Sequence, residues 1–406
     1  MTFALVDAFK IVLVFVVLVV FLMRRANMGA VMTGSAILLG ILFQLDLGGF
    51  WRALVQTTTN VLNVELIVAL GLIMMLEALM GQEGVLQGMV TSLRGLVGDS
   101  RVVMAALPAL VGLIPSAGGA IFSAPMVEEV SRGSGASAET KTFINYWYRH
   151  VWEYVLPLYP ALLLTAQVYG VSVASLMLLM LPMPFLVVVF GWPTAFWRLR
   201  VPASKTVDPH IGEHVRNLAV GLGPVLTILA LVLVLRMSIA IAVLLVLMAL
   251  IVAYRYGPAR IAIMLKDSVS LDVLFAVFAV LWFKEVLIAS GAVQALTPVL
   301  TAWHIPIAAA FVLLPLLVGV LTGSPQAVVG TAGPILIGLV GMPSVSPELA
   351  ASAMVSGYAG CMLSPAHLCF VLTNGYFHAD FGKSFRMVVL PELALLAASL
   401  AYLAFA

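Results

Sequence analysis

Thirteen apolar residues in a row, IVLVFVVLVVFLM at 11–23, open a pattern that recurs to the end of the chain. Runs of about 17–25 predominantly apolar residues follow one another, the length a helix needs to cross a hydrocarbon core about 30 Å thick. A water-soluble fold cannot hide them: 63% of the 406 residues are hydrophobic and only 9% are charged. Backbone N–H and C=O groups in lipid must be satisfied within the protein, which favours helices. The chain is therefore read as an all-α polytopic membrane protein. Arg24-Arg25 follow the first run with no small-residue cleavage site, so that run is expected to remain as a membrane helix. The net charge of +2 gives no sign of a nucleic-acid partner. Cys361 and Cys369 share one apolar segment and suggest no disulfide framework.

Hydropathy predicts ten spans, at 4–22, 28–46, 63–80, 142–166, 170–190, 217–235, 238–254, 271–290, 349–373 and 386–405. Regions 101–130 and 305–341 do not fit. In the first, Val102–Ile114 is thirteen residues, roughly 20 Å of helix. Pro115-Ser116-Ala117-Gly118-Gly119 then interrupts it, and a second apolar arm runs to Glu128. An arm that short reaches mid-membrane and returns, so both regions are expected to be re-entrant hairpins. The charge pattern agrees. With the N-terminus outside and both hairpins returning to the side they left, fifteen of the twenty Lys and Arg residues fall inside. Gly291–Glu348, outside, has none. The expected location is the cell (inner) membrane, with both termini outside and the 197–216 linker cytoplasmic.

The layout occurs twice. GVLQ at 84–87 matches GAVQ at 291–294, and Gly112 matches Gly319, both at an offset of 207; Pro157 and Pro365 are 208 apart. Each half has five crossings, an odd number, so the second copy must lie upside down, as in inverted-repeat transporters. The expected organisation is a first repeat at 1–196 (scaffold 1–100, transport part 101–190), a linker at 197–216, and a second repeat at 217–406 (scaffold 217–304, transport part 305–406).

Four backbone interruptions are then expected near the midplane. Two are the hairpin turns, at Ser116, Ala117, Gly118 and Gly119 and at Thr322, Gly323, Ser324 and Gln326. The others are broken spans, at Pro157 and Pro160 around Glu153 and at Pro365 in the segment holding Ser364 and His367. Helix N-termini at such breaks favour anions. Arg149, His150 and Glu153 lie about 10–17 Å into their span, where an unpaired charge costs roughly 2.5–3.5 kcal/mol. Arg149 and Glu153 share a helical face. One reading makes Arg149 a clamp for a substrate carboxylate and Glu153 or His150 a proton or coupling-ion carrier; the other makes the pair structural. Asn145 is added to the substrate-binding candidates. Lys284-Glu285 are expected to be structural, and Glu77 to snorkel from the inner end of its span.

Enzyme signatures are missing. His150-x-x-Glu153 lacks the second histidine of a zinc protease, no G-x-S-x-G elbow occurs, and Ser324 precedes a proline. Cys361, Cys369 and His367 have no familiar ligand spacing, so no metal site or other cofactor is expected beyond Na+ or H+ as coupling ion.

At these residues the chain resembles the ion transporter superfamily, which includes dicarboxylate–sodium symporters, gluconate and lactate permeases and arsenite efflux proteins. LIPSAGGAIFSAPMVEEV with NYWYRHVWEYVLPLYP is similar to its domain-of-unknown-function family 401 branch. The resemblance implies an elevator mechanism in a homodimer. Spans in 1–60 and 217–254 form the scaffold, segments 84–98 and 291–303 are linking arms, and the hairpins with the broken spans move. Dicarboxylate symporters carry Ser-Asn-Thr at their hairpin tips; Ser116-Ala117-Gly118 and Thr322-Gly323-Ser324 lack that asparagine. The expected function is secondary active transport of a small carboxylate-like anion, with a cation/proton antiporter as the alternative.

Overall fold

The computed structural model describes residues 2–113, 115, 119–197, 199, 210–292, 306–340 and 345–406, and every regular element among them is a helix. The first half holds α1 (Thr2–Met23), α2 (Met28–Leu42), α3 (Leu47–Thr59), α4 (Val61–Gln82), α5 (Val85–Leu96), α6 (Ser100–Val111), α7 (Gly119–Val130), α8 (Ala138–Arg149), α9 (Pro160–Tyr169), α10 (Val173–Met180) and α11 (Met183–Phe196). The second holds α12 (Ile211–Leu233), α13 (Ile239–Ala253), α14 (Pro258–Ser268), α15 (Leu271–Ala289), α16 (Ile307–Thr322), α17 (Pro325–Val340), α18 (Pro347–Met362), α19 (Leu368–Tyr376) and α20 (Phe381–Leu403).

Polar residues between apolar runs set where many helices begin. Asn27, Asp46, Asn60 and Asp99 cap α2, α3, α4 and α6 by accepting from amides of the first turn. Ser137, Ser238, Ser270, Ser346 and Asp380 do the same for α8, α13, α15, α18 and α20. Among the described residues four helices are long and apolar enough to cross a membrane: Val61–Gln82, Val173–Phe196 (α10 and α11 together), Ile211–Leu233 and Phe381–Leu403. Several others are shorter. Helices α2 and α13 have 15 residues each, about 22 Å. The span expected at 28–46 ends sooner because Asp46 starts the separate helix α3. Large apolar side chains stay exposed around the molecule, among them Phe9, Trp51, Phe185, Val252 and Leu390. Such a surface suits a protein embedded in lipid.

Helix starts recur along the chain: Met28 and Ile239, Val61 and Leu271, Ser100 and Ile307, Gly119 and Pro325, Ala138 and Pro347, Pro160 and Leu368, at offsets of 206–211. Packing recurs with them. Helix α2 lies on α15 as α13 lies on α4, and α3 on α15 as α14 on α4. The hairpins α6–α7 and α16–α17 each set their first arm on the first half of a broken helix, α6 on α8 and α16 on α18. Their second arms cross over, α7 to α19 and α17 to α9. The pair α3 and α14 was not anticipated from hydropathy. Of the expected linking arms, 84–98 is helix α5, and 291–303 lies almost wholly outside the described residues, as does most of the 197–216 linker.

Candidate functional site

The expected interruptions have distinct geometries. Helix α8 stops at Arg149, residues 150–159 run through turns, and α9 starts at Pro160. The break is wider than a proline kink and carries Glu153 within it. Helix α18 stops at Met362, and α19 begins after His367. The second hairpin turns at Gly323 and Ser324. Gly323 sits at φ +62°, and a Cβ there would come within 2.8 Å of the His367 amide nitrogen. Only glycine combines that left-handed backbone with so close an approach. The turn is thereby pressed against the α18–α19 break. In the first hairpin, a Cβ on Gly112 would collide with the Arg149 carbonyl oxygen. Trp152 Nε1 donates to Ala109 O (2.9 Å), and the Tyr159 hydroxyl donates to Gly112 O, tying α6 to the α8–α9 break.

A cavity of about 630 Å³ lies where these elements meet. Its wall takes Pro115 from the first hairpin and Thr322, Gly323, Ser324, Pro325 and Gln326 from the second. The two breaks contribute Arg149, Glu153, Tyr159 and His367, with Tyr358 and Cys369 alongside. Leu70, Ile73, Met74 and Glu77 of α4 and Val273 of α15 close the opposite side, and Arg25, Ser268 and Ser270 stand at one end. A second cavity of about 530 Å³ shares Met74, Glu77 and Ser268 and reaches Gly119.

Arg149 is 2% exposed and Glu153 7%. The Arg149 Nη1 atom lies 4.0 Å from Glu153 Oε1 and 3.5 Å from Cys369 Sγ. The pair expected on one helical face thus forms across the end of α8. Glu153 Oε1 is also 3.7 Å from His150 Nε2. His150 Nδ1 meets Tyr146 O at 2.6 Å, and its Nε2 meets His367 Nε2 at 3.3 Å.

Other candidates stand apart from the larger cavity's wall. Asn145 is fully buried and donates to Ala120 O (2.9 Å) and Thr373 Oγ1 (3.1 Å), a strut between α7, α8 and α19. Ser364 is buried, and its hydroxyl accepts from the Ala366 amide within the turn. His150 is buried behind His367. Ser116, Ala117 and Gly118 lie outside the described residues. Glu77, expected to snorkel, lies in the lining of both cavities. Lys284 and Glu285 pair with each other at 3.3 Å.

The family model described as Protein of unknown function (DUF401) matches residues 7–406. The chain belongs to this family. No curated protein matches it. The DUF401 protein also holds an acid that hydropathy and spacing did not single out. Glu392 of α20 is 1% exposed, and among the described residues neither carboxylate oxygen has a hydrogen-bond partner. The signal was present, since Glu392 follows Pro391 well inside the last apolar run. Leaving a buried polar group unpaired costs about 1–3 kcal/mol. Glu392→Met, similar in size, is therefore expected to raise the melting temperature of the purified protein. An unchanged or lower value would mean that the acid is held by an interaction worth more than its desolvation.

Proposed function

We propose that this DUF401 protein is a secondary active transporter of a small carboxylate-like anion, built on the inverted repeats and elevator mechanism of the ion transporter superfamily. The observation that carries the reading is the larger cavity. Pro115 of the first hairpin, the turn of the second and both helix breaks line it, and Arg149 is a buried cation in its wall. Backbone breaks at membrane depth are tolerated where they line a solvated space. A guanidinium there can hold a carboxylate by two parallel hydrogen bonds.

Three features support the repeat. The helix starts recur at a near-constant offset. The packing partners exchange between halves. Gly112 faces the Arg149 carbonyl as Gly319 faces the Gly357 carbonyl, at offsets of 207 and 208. The cavity also lies between α4 and α15 on one side and the hairpins with the broken helices on the other. That is the boundary along which an elevator slides, with α5 as one linking arm. Arg25, Ser268 and Ser270 belong to segments that the charge pattern puts inside, so this conformation opens inward. In this reading the protein sits in the cell membrane with both termini outside, works as a homodimer, and couples to Na+ or H+.

Glu77 and Glu153, both in the cavity lining, favour a second reading, a cation/proton antiporter. Proteoliposomes separate the two. Labelled mono- and dicarboxylates are offered under a sodium or a proton gradient, and gradient-dependent accumulation of one of them is expected. Proton release on adding sodium, with no anion accumulated, replaces the first reading with the second.

A further inference from the structure

We propose that His150, His367 and Cys369 form a binding site for a transition-metal ion of the Zn2+ class where the two broken helices cross. This goes beyond the transport reading and does not depend on it. The ligand atoms of the three residues lie within 4.8 Å of one another. The two Nε2 atoms are 3.3 Å apart, roughly the edge of a tetrahedron with metal–nitrogen bonds of about 2.0–2.1 Å. A thiolate and two imidazoles are a donor set that suits zinc or copper.

The surroundings prepare each donor. The Tyr146 carbonyl only accepts, so His150 carries its hydrogen on Nδ1 and turns the Nε2 lone pair toward His367. Histidines bound to metals are fixed in this way. With its hydrogen on Nδ1, His367 presents Nε2 toward His150 as well. The alternative, one N–H···N bond between the rings, leaves the nearby thiol without a role. Arg149 Nη1 lies 3.5 Å from Cys369 Sγ, and binding a metal releases the thiol's proton. Glu153 Oε1, 3.7 Å from His150 Nε2, or an oxygen from the adjoining cavity fills a fourth position. Thiolate and carboxylate together offset a dication even with Arg149 close by.

The test uses untagged protein in detergent, stripped with chelator and titrated with Zn2+, then with Co2+ as a spectroscopic probe. One ion per chain is expected, with a thiolate-to-cobalt charge-transfer band. Cys369→Ser should remove the band, and Cys361→Ser, whose thiol lies outside the set, should keep it. His367→Gln should weaken Zn2+ binding by at least the 10–100-fold typical of disturbing a metal ligand's surroundings. If that variant does not fold, the wild-type band and the two cysteine variants still decide. No stoichiometric binding, or a band that survives Cys369→Ser, overturns the proposal. Carboxylate binding assayed in chelator is a separate measurement, so failure of the metal site leaves the anion reading standing, and the reverse.

Discussion

Arg149→Ala is expected to abolish carboxylate accumulation in proteoliposomes and to remove any carboxylate-induced rise in melting temperature. Arg149 lies buried at the end of α8, on the cavity wall, with the break of residues 150–159 beginning directly after it. Truncating one partner of a buried, hydrogen-bonded charge pair costs about 2–5 kcal/mol, which is roughly 30-fold to several-thousand-fold in affinity. The same change leaves Glu153 without its nearest cation, so the variant should also be less stable. That second effect obscures the first unless it is removed. In Arg149→Ala/Glu153→Gln the lone buried charge is gone. Stability should recover while carboxylate binding does not. Arg149→Lys keeps the charge but loses the planar fork, and an intermediate affinity is expected. If the double variant regains both stability and carboxylate binding, Arg149 is a structural partner of Glu153 and the anion reading falls.

What could be read in advance followed the range of the interactions. Each long apolar run reports its own need for burial or lipid, so the helices at 61–82, 211–233 and 381–403 lie close to the predicted spans. Prolines and glycines announce local breaks, and those at Pro157–Pro160 and Pro365 fall in or beside the unwound segments. Helices α3 and α14 escaped because LGGFWRALVQTTT and PARIAIMLKDS are short and mix polar with apolar residues. Hydropathy detects spans, not helices lying along a surface. In the site, Arg149 and Glu153 stood out as charges at depth. Glu77's place in the cavity lining was not legible, because its distance from a span end says nothing about which helices leave space beside it. His150 and His367 are 217 residues apart, and no ligand-spacing rule reaches across two halves of a chain. Asn145 reads as a polar residue at depth, and its Nδ2 also holds α7 and α19 to α8, a tertiary role that spacing does not reveal.

The largest loss of stability is expected from Gly319→Leu. A Cβ at this position would strike the Gly357 carbonyl oxygen, with the Cys361 amide nitrogen only 2.8 Å away. Gly360 on the facing helix has no room either, because a Cβ there would meet the Leu316 carbonyl oxygen. The obstacles are backbone atoms of α16 and α18, so no rotamer change relieves them and the helices must separate. Small residues at such seams let helices approach closely, and dispersion between the backbones then holds them. Overpacking a core costs typically about 1–3 kcal/mol, and with backbone on both sides the top of that range or beyond is expected. The consequence should also reach the cavity. Gly319 is one helical turn before Gly323, so spreading the seam lifts Thr322-Gly323-Ser324 off the His367 break. Partly folded Gly319→Ala should therefore lose carboxylate-induced stabilisation along with melting temperature. Gly71→Ala is the control. Gly71 lies in α4, and a methyl group added there would have nothing within 4 Å, so alanine should add up to about 1 kcal/mol of helix stability. Equal melting temperatures for Gly319→Ala and Gly71→Ala would mean that the α16–α18 seam is looser than described, and with it the placement of the second hairpin turn.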